Sequence, residues 1–128
     1  MDYRKLFSDV HARPGLWGLR DGSFATCTAF VLGVDAGSDH ELLTGFREWL
    51  VVRFDGGNNL AWTGLVLRLA FPDFDGGPMP PDGDQQAVDT LFGLLDEFLA
   101  LRTDRDWLVT IYDNYLAWLK AQSWYRPG

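Results

Sequence analysis

Residues 87–120 read AVDTLFGLLDEFLALRTDRDWLVTIYDNYLAWLK. Val88, Leu91, Phe92, Leu95, Phe98 and Leu99 recur at the spacing of one helix face, while Asp89, Asp96 and Glu97 fall off it. Thr103 to Asp106 then fits the [ST]-x-x-[DE] capping box, which marks a helix start because each end of the box satisfies a backbone N–H of the first turn. It heads a second apolar run: Trp107, Leu108, Ile111, Tyr112, Tyr115, Trp118 and Leu119. Two strong amphipathic helices in the last third of the chain make an α fold the expectation.

The chain before them reads the same way. PDFDGGPMPPDG, residues 72–83, is too rich in proline and glycine for regular structure and is expected to be the one long, acidic loop. LAWTGLVLRLAF, residues 60–71, is apolar nearly all round and reads as a helix with Asn59 as its cap and Pro72 as its stop. A buried strand over Val66 to Phe71 is the competing reading. Asp39 offers a cap for a helix carrying Leu42, Leu43, Phe46, Trp49, Leu50 and Phe54 up to Gly56-Gly57. Ser23 caps another whose apolar positions run from Phe24 to Val34 and stop at Gly37, and Tyr3, Leu6, Phe7 and Val10 form a first short helix ended by Arg13-Pro14-Gly15. With 128 residues there is room for one core of ordinary size, so the expected fold is all-α: a compact, irregular bundle of about five to six helices in a single domain.

Hydrophobic residues make up 47% of the chain and aromatics 15%, enough burial to offset the conformational entropy of folding. The lone Cys27 cannot form an internal disulfide and has no Cys or His neighbour at zinc-ligand spacing, which fits a reducing cytoplasm. The N-terminus MDYRKLFSDVHARPG scatters charge through what would be the apolar run of a signal peptide, and no stretch reaches the roughly 18 apolar residues of a membrane span. Export and membrane insertion are therefore not expected.

Net charge is −7, and residues 71–107 account for all of it, with nine acids against Arg102 and Arg105. Asp73, Asp75, Asp82, Asp84, Asp89, Asp96, Glu97 and Asp104 are the candidate docking residues of this block. Such a segment repels phosphate and excludes nucleic acid there, and it steers a basic protein toward one face. The plain alternative is a solvated surface that keeps the protein in solution.

Tests for chemistry return little. Asp73 and Asp75 open a D-x-D loop with Asp84 at position twelve, but Pro78 stands where an EF-hand needs glycine and the last ligand is not Glu. His11 and His40 are far apart in sequence, each without a ligand-spaced partner, and read as surface or helix-end residues. Cys27 reads as a small core hydrophobe. Asp96 and Glu97 are neighbours on a helix, so their side chains point about 100° apart and do not converge on one substrate. Neither a catalytic residue, a metal site nor a cofactor is expected. The six tryptophans are the surplus feature. Trp124 and Tyr125, in the tail SWYRPG beyond the last helical stripe, are the pair expected to be exposed and available to a partner.

Arg13-Pro14-Gly15-Leu16-Trp17-Gly18, the helix after Ser23, Gly45-Phe46-Arg47-Glu48-Trp49-Leu50-Val51-Val52-Arg53-Phe54, Leu60-Ala61-Trp62 and Leu91-Phe92-Gly93-Leu94-Leu95-Asp96-Glu97-Phe98 together resemble a family of small bacterial proteins found near polymorphic toxin genes, regarded as immunity proteins or left uncharacterised. The likeness spans roughly residues 1–102 and rests on a turn and on apolar helix faces. RPGLW stands here for the family's RPGMY-type turn, and the loop at 72–83 is longer than its usual length. The resemblance bears on the fold more than on the role, and it implies no catalytic residue.

Two functional readings follow. In one, the chain is a protein-binding module, in its specific form an immunity protein that neutralises a basic toxin domain through an acidic, aromatic-containing surface. In the other it is a small enzyme or ligand-binding accessory protein with an aromatic-lined pocket between helices. The directions of Trp49, Trp62, Trp107 and Trp118 separate them: a filled core favours the first and a cavity the second. A structural subunit of a larger assembly is a third, less specific reading.

Overall fold

The computed structural model describes residues 1–127, and among them the regular elements are all helical. They are α1 (Tyr3–Ala12), α2 (Phe24–Gly37), α3 (Phe46–Phe54), α4 (Trp62–Ala70), α5 (Asp84–Ala100) and α6 (Trp107–Lys120), with short 3-10 turns at Pro14–Trp17 and Leu101–Thr103. The all-α bundle read from the sequence is what the chain forms. Residues 72–83 form the expected irregular loop, and the segment that could have been a strand is α4.

Helix ends show where local signals hold. Ser23 caps α2 by accepting from Thr26 N at 3.1 Å, as its sequence position predicts. Asp2 does the same for α1 through Lys5 N at 3.0 Å. Three caps are not used. Asn59 lies in a turn closed by the Leu60 N to Gly57 O bond, so α4 begins at Trp62 after an uncapped Ala61. The Thr103 hydroxyl donates back to Ala100 O at 3.1 Å and Asp104 accepts from Asp106 N at 2.9 Å, so the capping box is replaced by a 3-10 turn and an Asx turn.

The third departure is larger. Asp39 and His40 adopt left-handed backbone, with φ of 54° and 63°, and α3 starts only after Gly45 at φ 85°. The buried Asp35 carboxylate accounts for this. Its Oδ1 accepts from Leu43 N at 2.9 Å, its Oδ2 lies 3.1 Å from His40 Nδ1, and its carbonyl accepts from His40 N at 2.7 Å. A buried carboxylate needs such donors, and they draw residues 38–45 into turns around it. Arg102 clamps the same segment from α5's end, donating to Leu42 O at 2.6 Å and Glu41 O at 3.0 Å.

α5 is the central helix: α1, α2 and α4 all pack on it, while α3 links α4 to α6. Its buried residues are Ala87, Val88, Leu91, Phe92, Leu94, Leu95, Phe98 and Leu99. Two aromatic nodes sit on this face. Phe92 meets Phe7 at 6.0 Å between ring centres, and Phe98 meets Phe46, Trp49 and Trp107 at 5.0, 5.8 and 5.8 Å. Trp62 closes the second node against Phe46 at 5.8 Å.

Candidate interaction surface

The acidic block does not form one free face. Asp96 takes a two-pronged bond from Arg4 at 2.8 and 3.2 Å, and Glu97 pairs with Arg53 at 2.6 Å. Asp89 lies 2.7 Å from His11 Nε2 and accepts from Gln85 Nε2 at 2.8 Å. Hydrogen bonds from His11 and from Arg4 hold the Asp89 and Asp96 carboxyls below the usual carboxylate range. Asp84 serves the fold by accepting from Phe24 N at 2.7 Å, at the start of α2. Asp104 and Asp75 each accept from a backbone N–H two residues on, at 2.9 Å. Asp73 and Asp82 are exposed on the loop. The sequence showed the charge but not these partners, which lie up to 92 residues away.

Both ends of α1 are thus tied to α5, by Arg4–Asp96 and by His11–Asp89, with the His11 ring flat on Phe92 at 4.9 Å. Between the two ties an open cleft of about 280 Å³ lies over Gly93 and Ser8. A more apolar groove of about 430 Å³ runs between α2 and α4 beneath Phe74 of the loop, lined by Phe24, Leu60 and Leu67 and by none of the tryptophans. Trp49, Trp62 and Trp107 instead pack on Phe46 and Phe98, and Trp118 donates from Nε1 to Asp55 at 2.7 Å. These four rings are half-buried and pack against the core rather than line a pocket.

Arg102 was not singled out in the sequence. Its guanidinium lies over Trp107 at 4.6 Å and Phe98 at 5.4 Å, and burial pushes its pKa down. An arginine just past an amphipathic helix ordinarily reads as solvated. Only the carbonyls of Glu41 and Leu42, 61 and 60 residues earlier, reveal its role.

Among the six helices, α6 carries the most exposed large hydrophobic side chains, Val109, Tyr112 and Leu116. At about 100° per residue, Trp107, Leu108, Val109, Ile111, Tyr112, Tyr115, Leu116, Trp118 and Leu119 fall in one sector of about 200°. Thr110, Asp113, Asn114, Ala117 and Lys120 occupy the rest. Among the six helices, α3 is the neighbour that packs extensively on α6. It covers one side of the sector, where Ile111 is the single buried residue of the helix. Val109, Tyr112 and Leu116, at i, i+3 and i+7 on the other side, are 62%, 42% and 44% exposed.

Two carboxylates border this strip, with Lys120 one turn beyond Leu116 on the Asp113 side. Asp113 borders it on α6, and Glu48 of α3 stands close enough to the Tyr112 phenol to raise its pKa, after the larger effect of burial. Trp124, 51% exposed, stands edge-on to Trp118 at 6.2 Å, while Tyr125 is half-buried. Of the expected aromatic pair, Trp124 presents the larger surface.

Among the described residues no helix is long and apolar enough to cross a membrane. No family model matches the chain, and neither does any curated protein or solved structure.

Proposed function

We propose that this chain is a protein-binding module that docks its partner on the outer side of α6. The observation that carries the reading is the apolar sector of α6. A helix packed on one neighbour needs an apolar stripe of about 100°, and α6 carries about twice that, with Val109, Tyr112 and Leu116 left facing solvent. Large apolar and aromatic side chains that cluster in the open are the usual anchors of a protein interface. The specific form of the proposal is an immunity protein that neutralises a toxin domain. The resemblance at residues 13–18, 45–54 and 91–98 favours it, and the carboxylates around the strip suit a basic target.

Affinity purification from the native host tests the general reading, using the wild type beside Val109→Lys and Leu116→Lys. A protein retained by the wild type and lost from both variants supports it. Identical recoveries from all three argue against it. Co-expression with that protein tests the specific form: growth arrest by the partner alone, relieved by the wild type and not by Leu116→Lys, is the expected result.

A further inference from the structure

We propose that the partner element received on α6 is an amphipathic helix, laid beside α3 with its apolar stripe on Val109, Tyr112 and Leu116 and with Lys or Arg residues on its flanks. This rests on the protein-binding reading and specifies the chemistry of what binds.

Three observations support a helix. The strip is straight, because its residues repeat at i, i+3 and i+7 on one helix, and it runs about 10 Å along the axis. That geometry matches the side-chain ridges of a second helix. The strip also lies beside α3 rather than opposite it. Gly45, against Leu108 and Ile111, and Asp55, bonded to Trp118, show that α3 and α6 run side by side in the same direction. A third helix laid on the open side of α6 would complete the burial that α6 lacks. An extended peptide has less to bind: strand addition needs a sheet edge, and the regular elements among the described residues are all helical.

Charge sets the flanks. Asp113 stands on one border of the strip and Glu48 on the other, and neither is in an ion pair among the described residues. Lys120 lies on the Asp113 border but one turn beyond Leu116, in the last turn of α6. A helix with basic flanks meets carboxylates on both sides, whereas one with acidic flanks is repelled. Asp89, Asp96 and Glu97 of α5 are already matched by His11, Arg4 and Arg53, whereas Glu48 and Asp113 beside the strip are not.

The probe is a synthetic, fluorescently labelled helical peptide with Leu at i, i+3 and i+7 and Lys at its flanks. Its controls are a scrambled peptide of the same composition and one with Glu in place of Lys. Anisotropy titration at physiological salt is expected to show binding of the Lys peptide alone. Leu116→Lys should weaken it by about tenfold or more. The double variant Glu48→Gln with Asp113→Asn should weaken it less and flatten its salt dependence. Leu32→Lys, at an exposed leucine of α2, should leave it unchanged. Val109→Lys stands in if the circular dichroism of Leu116→Lys shows a lost fold. Failure of the Lys peptide to bind, equal binding of the scrambled or Glu peptide, or an equal loss in Leu32→Lys overturns the proposal. Where the native partner still depends on Leu116 but the Lys peptide does not bind, the helix assignment falls and the binding-module reading stands.

Discussion

α5 and α6 have nearly the same sequence signature and opposite fates. Each carries an apolar face at helical spacing, and α6 has the broader one. Yet α5 buries eight residues and α6 only Ile111. The difference lies in their neighbours: α5 is flanked by α1, α2 and α4, while α6 leans chiefly on α3. A periodic pattern states which face prefers to leave water. It does not state whether the chain supplies enough surface to cover that face. Where the chain supplies too little, an apolar stripe becomes a docking surface.

Mutations break this contrast in a definite order. The largest loss is expected from Phe98→Ala in α5, which removes the ring shared by Phe46, Trp49 and Trp107. Urea denaturation should show about 3–5 kcal/mol. Ile111→Ala comes next, near 2 kcal/mol at the low end for its type, because its helix is covered on one side. If the two variants lost equal stability, α6 would be as much a core element as α5.

Gly45→Ala probes the seam between α3 and α6. The glycine has φ 85°, and an added Cβ would come within 3.0 Å of Leu108 Cδ1. Left-handed backbone alone costs a residue with a side chain about 1–2 kcal/mol. A neutral or stabilising result in thermal melts would mean that the seam relaxes freely.

A smaller effect follows pH. The Asp89 and Asp96 carboxyls are lowered in the folded state, so their pairs stabilise the protein above the unfolded aspartate value of about 3.9. That contribution is lost as pH falls through the lowered folded values. Both side chains are more than half exposed, which limits each pair to about 0.2–1 kcal/mol. Melts of Asp89→Asn and Asp96→Asn should therefore differ from wild type slightly at pH 6 and converge with it toward pH 2.

The smallest effect sharpens the comparison most. Leu116→Ala is expected to change stability by no more than about 0.5 kcal/mol, although its position in the sequence pattern resembles that of Leu95. A loss of 2 kcal/mol or more, about the cost of a buried leucine, would show the α6 strip to be covered in solution.

Much of the fold was legible. The apolar faces of α1, α2, α5 and α6, the Ser23 cap and the loop at 72–83 all depend on nearby residues, and local spacing reports them faithfully. The start of α3 was not legible, because the Asp35 carboxylate had to be buried before it could draw Leu43 and His40 into turns. The capping box at Thr103 to Asp106 was present as a pattern, but Arg102 anchored on Glu41 and Leu42 holds that turn in another arrangement. For the candidate surface the sequence pointed to the charge at 71–107 and to Trp124. It did not point to Val109 or Leu116, which look like any other apolar helix positions.

The sequence by itself determined the helices, their apolar faces, the single core and the uneven charge, because each follows from composition or from spacing within a few residues. Tertiary structure alone decided which acids are matched by Arg4, His11 and Arg53 and which apolar face stays open. Pairing and coverage are properties of three-dimensional proximity. A carboxylate or a leucine carries no local mark of whether something from a distant part of the chain will reach it.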